Sequence, residues 1–264
     1  MTTYNERGAS EQGAANDKDC PSGKGFFAGG PQVCFEGSGV VGVIKPAGLP
    51  TQAPPGIDSV ERWLRGKRTP GEYLGVPHRL DRAVSGVMLF AATPRAARQL
   101  SRQFERRQIV KAYLALAEVS ADAAAEATWL DGECQDWVDA IVKIPDQPRA
   151  RIAADGEPGS RQAETRARFI GSFVGPDGLS AALLELQPRT GRMHQLRVQA
   201  AARGLPILGD VVYGSRRVDP AAAGIALHAW RITFTDPDTK EPRELEAPLP
   251  EAWPVDCREF LAAL

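Results

Sequence analysis

The run LSAALLELQP, residues 179–188, is apolar on both faces of an extended segment, so both must be covered. Such a segment belongs in the interior of a sheet with other layers packed above and below it. Other strands are expected at ETRARFIGSF (164–173), IALHAWRITF (225–234), VVGVIK ahead of Pro46, and Gly86 to Ala92. KAYLALAEV alternates, setting Tyr113, Ala115 and Ala117 opposite Leu114 and Leu116. Helices are expected between strands. In DSVERWLRG, Asp58 and Glu61 have capping-box spacing and Gly66 is a stop. Thr93-Pro94 reads as an N-cap and a first-turn proline for PRAARQLSRQFERRQ, with Ala97, Leu100 and Phe104 on one side. A Thr190-Gly191 turn leads into a helix that Gly204 and Pro206 terminate. The expected fold class is α+β: a mixed, largely antiparallel β-sheet with helices packed on it.

Residues 1–37 are expected as a mobile N-terminal tail and 38–264 as one domain, with 146–160 a surface loop. No internal repeat, P-loop or dinucleotide-binding glycine fingerprint is present. No segment has the length or polarity of a membrane span or a signal peptide, and a cytoplasmic location is the expectation. The four cysteines are dispersed with no C-x-x-C pair and there are only three histidines, so ordinary thiols and no metal site are expected.

The formal net charge is −1, which argues against bulk electrostatic attachment to nucleic acid. The distribution argues differently. Between Arg62 and Lys111 stand twelve Lys/Arg and three Asp/Glu, whereas Glu118 to Asp139 holds seven acidic residues and no basic one. Segregation of this kind produces either a positive face toward a polyanion or a merely solvated helix.

The stretch HRLDRAVSG (78–86) crowds Arg79, Asp81 and Arg82 at the mouth of a buried strand. By itself, an aspartate flanked by arginines is an ordinary salt-bridged loop residue. The stretch resembles the H-R-L-D-x-x-T-S-G motif of the RluA family of RNA pseudouridine synthases. VIKPAGLPTQ, KAYLALA, LQPRTGRMHQLRVQAAARGLPILGDVVYG and LHAWRITFTDP are similar to that family's remaining motifs, in the same order, from about Val40 to Trp253.

The resemblance implies an isomerase that breaks the N1–C1′ bond of an RNA uridine and joins C5 to C1′, with no cofactor. It implies the pseudouridine synthase catalytic fold and a monomer acting on ribosomal or transfer RNA. Asp81 would react near C1′, as nucleophile or as base at C2′. Arg197 would keep it ionised in a pocket that excludes water, and Tyr113 would stack on the flipped uracil. Arg79 would enter the space the base vacates, Leu196 would form an apolar wall, and Lys111 and Arg82 would contact the substrate. The tail shows no S4-type module, which places RNA selection on this domain and its basic helix, with Arg95, Arg98, Arg102, Arg106 and Arg107 as phosphate contacts. Val84 stands where the family usually has Thr and Gln199 where it commonly has His. Two rival readings remain: an inactive RNA-binding protein on the same fold, and a two-carboxylate glycoside hydrolase.

Overall fold

The computed structural model describes residues 29–119, 134–174, 180–216, 224–254 and 257. Among these described residues, ten strands form one sheet: β1 (Gln32–Gly37), β2 (Val40–Lys45), β3 (Ser85–Ala91), β4 (Val110–Glu118), β5 (Cys134–Lys143), β6 (Ala150–Ile152), β7 (Arg161–Val174), β8 (Ser180–Pro188), β9 (Leu227–Thr235) and β10 (Pro242–Glu246). The order is β1-β2-β3-β9-β4-β8-β7-β5-β6, with β10 also on β9. All the pairings are antiparallel except β3 with β9. Helices α1 (Val60–Gly66), α2 (Pro94–Glu105) and α3 (Gln195–Ala201) pack on this sheet, as an α+β chain should.

Of the run 179–188, the described residues 180–188 form β8, inside the sheet between β4 and β7, with Ala181 to Leu184 and Leu186 buried. Period two sorts β2 and β3 between two layers. Val41, Val43, Met88 and Phe90 meet α1 through Val60 and Leu64, whereas Val40, Ile44, Val87 and Leu89 meet α2 through Ala96 and Leu100. A third core joins β4, β8 and β9 to α3 through Leu114, Leu184, Leu196 and Trp230.

Several expectations need correction. Residues 32–37, expected in the tail, form β1, because the edge of apolar β2 offers them a full antiparallel partner; residues 1–28 lie outside the described residues. The cap of α1 is Ser59, whose side chain accepts from the Arg62 N–H. Asp58 therefore lies one residue before the cap, and Glu61 pairs with Arg65 and Gln52. Loop 146–160 contains β6, paired to β5, and β5 itself is not among the expected strands, its burial following no period of two. On α2, Thr93 caps and Pro94 opens the helix as expected, but the buried face is Ala96, Leu100 and Gln103, with Ala97 and Phe104 only partly covered. Gln103 goes inside because its amide donates to the Thr235 carbonyl and accepts from the Thr235 N–H, so no polar group is left unsatisfied.

One irregularity of the sheet creates the site. β3 and β9 pair only at Ser85–His228 and Gly86–Ala229. Beyond that point β10 occupies the edge of β9 from Arg231 onward, and segment 75–78 occupies the edge of β3. Gly75 exchanges two backbone bonds with Ala91, and His78 Nε2 accepts from the Leu89 N–H at 2.8 Å. The HRLD stretch is thus hung along a strand edge that the sheet leaves open.

Candidate active site

Asp81 sits at the end of that stretch, and its backbone is tied on both sides. Thr51, 3% exposed, donates its hydroxyl to the Leu80 carbonyl at 3.0 Å and accepts from the Leu80 N–H at 3.1 Å. Lys45, fully buried, donates to the carbonyls of Pro46, Leu49 and Arg82 at 2.9, 2.6 and 3.1 Å. Burial draws its pKa down to about 7 while the Asp81 charge works the other way. The Gly48 N–H also donates to the Arg82 carbonyl, and the Val84 N–H closes a turn onto the Asp81 carbonyl. The KPAGLPT segment therefore acts as a buttress for residues 80–82, fixing where the Asp81 side chain emerges.

The carboxylate opens into a cleft of about 1210 Å³ lined by Arg79, Asp81, Lys111, Tyr113, Leu196 and Arg197, among others. With Arg107, these are seven of the twelve residues expected to act on or contact the substrate; Arg82, Arg95, Arg98, Arg102 and Arg106 are not in this lining. The Arg82 guanidinium turns back to donate to the Gly48 carbonyl at 2.8 Å, so it braces the loop and does not line the cleft. Arg102 lines a separate shallow groove with Tyr73 and Arg98, and Arg106 is exposed at the end of α2. Asp81 is 40% exposed, so the protein alone forms an open cleft, not the water-excluding pocket expected; exclusion of water would require the ligand itself to cover the site.

Arg197 holds its position through a partner that the motif comparison did not single out. Its Nε and Nη2 grip Asp210 Oδ2 and Oδ1 at 2.6 and 2.8 Å, and both side chains are almost fully buried. This fork aims the remaining nitrogen, Nη1, at Asp81 Oδ2, 3.6 Å away. Although burial works against its charge, the Asp210 hydrogen bonds and the two carboxylates keep Arg197 firmly protonated. His194 approaches the same oxygen, with Nε2 at 3.7 Å. Asp210 and Tyr213 both fall within the quoted PILGDVVYG, which was the signal available for finding them.

Tyr113 reaches the cleft where the β4–β9 register shifts between Ala112 and Tyr113, passing over Trp230. Burial and the Asp81 charge push its phenol upward, so it stays protonated through neutral pH. Burial lowers Lys111, which has no ion-pair partner among the described residues and faces His78. Gln199, in place of the family's usual His, is fully buried and bridges strands: it accepts from Thr165 Oγ1 at 2.6 Å and donates to Asp139 and the Trp137 carbonyl. Val84, 3% exposed, packs in the core and also presents an apolar surface to the cleft, where the family's usual Thr would carry a hydroxyl.

The rim is cationic. Arg107, Lys143, Arg161, Arg189 and Arg192 line it, and Arg79 has no hydrogen bond or ion pair among the described residues. Arg107 stands 3.9 Å from Glu164 and Arg189 3.4 Å from Asp136, whereas Arg192 Nε donates to the Gln162 carbonyl at 2.9 Å. Asp81 and Glu105 are the carboxylates in the lining, and the excess of cations around them suits a polyanion. No group of three metal-ligating side chains occurs among the described residues, and no helix there is long and apolar enough to cross a membrane.

Residues 39–202 match the family described as RNA pseudouridylate synthase. Ribosomal large subunit pseudouridine synthase C of Vibrio vulnificus is 31% identical over 229 residues, covering 83% of this chain and 66% of that protein. The dual-specificity RNA pseudouridine synthase RluA of Yersinia pestis is 32% identical over 213 residues, covering 80% of this chain and 95% of that protein. This chain thus spans just under two thirds of the Vibrio protein and nearly all of the Yersinia one. Among solved structures, human RNA pseudouridylate synthase domain containing 1 shares the fold at a TM-score of 0.64 and 24% identity, over 83% of each chain.

Proposed function

The chain belongs to the RNA pseudouridylate synthase family, and from that premise we propose that it isomerises uridines in RNA to pseudouridine, with Asp81 as the group that reacts at the sugar. The observation that carries this reading is the placement of Asp81 in a cation-rimmed cleft, with Arg197 Nη1 3.6 Å from its Oδ2. The N1–C1′ bond breaks, the uracil turns, C5 bonds to C1′, the C5 proton leaves and N1 gains one. No atom is supplied from outside. An ionised carboxylate serves as nucleophile at C1′ or as base at C2′, and Arg197 favours that ionised form.

A uridine held in a folded RNA cannot reach this carboxylate unless it leaves the stack, at a cost of a few kcal/mol. Arg79, exposed beside Asp81 and without a partner among the described residues, suits the role of filling the gap: its flat guanidinium can stack on bases and contact phosphate together. Tyr113 and Leu196 then flank the extruded base, Tyr113 as a neutral phenol. Lys111 supplies a nearby positive charge. One domain carries all of these residues. The names of the relatives make ribosomal RNA the first substrate class to test and transfer RNA the second.

The test is release of tritium from C5-labelled uridine in unmodified ribosomal RNA transcripts and in transfer RNA transcripts. The wild type should release tritium from at least one of them without freeing uracil, and Asp81→Asn should lower the rate at least about 10³-fold. Equal turnover by Asp81→Asn would remove Asp81 from its role, and release of free uracil would favour glycoside hydrolysis.

A further inference from the structure

His194 touches two groups that the family comparison does not connect. Its Nε2 faces Asp81 Oδ2 at 3.7 Å, and its Nδ1 lies 2.8 Å from the Tyr213 hydroxyl oxygen. That oxygen also accepts the Ala150 N–H at 3.0 Å. We propose that Tyr213 is a positioning residue: its hydroxyl donates to Nδ1 of His194, fixes the imidazole as the Nε2–H tautomer, and so holds an N–H toward Oδ2 of Asp81, leaving Oδ1 for the sugar. This inference rests on the reading of Asp81 given above.

The proton count decides between the two neutral tautomers. If Nδ1 carried the hydrogen, it would donate into an oxygen already accepting from Ala150, and the phenol hydrogen would have no acceptor among the partners found there. The bare lone pair of Nε2 would then face a carboxylate oxygen. In the other tautomer every hydrogen has an acceptor: Ala150 N–H to the Tyr213 oxygen, the Tyr213 O–H to Nδ1, and Nε2–H toward Asp81. At 3.7 Å this last contact is long, as is Arg197 Nη1 at 3.6 Å from the same oxygen. Donors at an unliganded site commonly tighten only when the ligand is bound.

The backbone supports the same assignment. His194 occupies the N-cap of α3 but makes no side-chain cap bond, and it adopts φ 52° and ψ 25°, a left-handed conformation costly for a non-glycine residue. A Ser or Asp there would cap the helix; His gives up the cap and turns its ring to Asp81 and Tyr213. Tyr213 is fixed in turn: the Arg197 guanidinium lies over its ring at 4.9 Å, and Gly214 turns the chain at φ 96°. The groups facing His194 are Asp81, Arg197, Asp210 and Tyr213. Burial, followed by the Arg197 charge, draws its pKa below the ordinary imidazole value against the two carboxylates, in keeping with a neutral ring.

The experiment has two independent arms on the full chain. In the first, ¹⁵N imidazole correlation spectra at pH 7.5 are assigned through His194→Ala, a manageable task with three histidines. The expected wild-type His194 signal has Nε2 protonated and Nδ1 as acceptor, and Tyr213→Phe should mix the tautomers. An Nδ1–H signal in the wild type would overturn the inference whatever the protein's activity. In the second arm, single-turnover pseudouridine formation is followed on unmodified ribosomal RNA transcripts or, if they prove inactive, transfer RNA transcripts. Tyr213→Phe should slow it about tenfold, the worth of one hydrogen bond to a reacting site, and should cost nothing further in the His194→Ala background. Additive losses would mean that Tyr213 acts through Ala150 and the fold, and would overturn the inference. A wild type that makes no pseudouridine on either RNA refutes the parent reading instead, and the spectra still judge the tautomer.

Discussion

The guanidinium that faces Asp81 is aimed by a residue on its far side. Asp210 takes two of the three Arg197 nitrogens, and the geometry of that fork is what aims the third at Asp81. Removing one member of a buried ion pair leaves the other charge stranded at a cost of about 3–5 kcal/mol. Asp210→Ala should therefore lower stability to urea by about 3 kcal/mol and also slow pseudouridine formation, since Arg197 is then free to swing. A variant with wild-type urea midpoint and turnover would show that the fork is dispensable. Asp81, Arg197, Tyr113 and Leu196, singled out by the motifs, do come together in one cleft. The supports were not legible in the sequence: Lys45, Thr51 and Asp210 act through contacts made across distant segments, and the pattern does not reveal which carboxylate an arginine will choose. Arg82 was misplaced for the same reason. Its neighbourhood in sequence suggested RNA, and its neighbourhood in space is the Gly48 carbonyl.

Gly86 shows at the level of elements why β3 and β9 can meet at all. It has φ 120°, and a Cβ added there would stand 2.2 Å from the Ala229 carbonyl oxygen. Gly86→Ala should thus push the two strands apart, destabilise the protein by more than about 2 kcal/mol and displace the HRLD stretch that fills the gap beyond them. A thermal midpoint equal to the wild type's would refute this account of the split sheet. Helix α2 offers a separate test. Its Arg98, Arg102 and Arg106 are exposed and outside the cleft. Reversing Arg102 and Arg106 to Glu should weaken RNA binding, most strongly at low salt, and flatten the dependence of affinity on salt concentration. Unchanged affinity at low salt would confine RNA to the cleft and its rim.

Across the whole molecule, two histidines are built into the fold as neutral groups. Burial, with Lys111 acting in the same direction, draws His78 down to about 3, where its Nε2 accepts from the Leu89 N–H. Burial draws His228, fully enclosed, down to about 4, with Nδ1 2.9 Å from Ser85 Oγ. Because the unfolded chain takes up protons at about 6.5 and the folded chain does not until near 4 and 3, the unfolded state binds more protons throughout that window. Stability therefore rises with pH there and is lost on acidification. Urea midpoints should fall steadily between pH 7 and 4.5, and neither imidazole should titrate by NMR between pH 8 and 5. A midpoint near 6.5 for either ring would contradict its enclosure.

The sequence by itself determined the interior strand β8, the helix caps marked by Thr93-Pro94, the α+β class and the family, because each depends on the order of residues within a short window. It also showed the cluster of twelve Lys/Arg between Arg62 and Lys111, though not that the cleft rim would draw Lys143, Arg161, Arg189 and Arg192 from the later part of the chain. Only the tertiary structure decided that β1 belongs to the sheet, that the gap between β3 and β9 holds the Asp81 segment, and that Asp210 and Tyr213 stand behind Arg197 and His194. Those outcomes depend on which segments meet across long separations, where burial and hydrogen-bond satisfaction of the whole chain choose among partners that are locally equivalent.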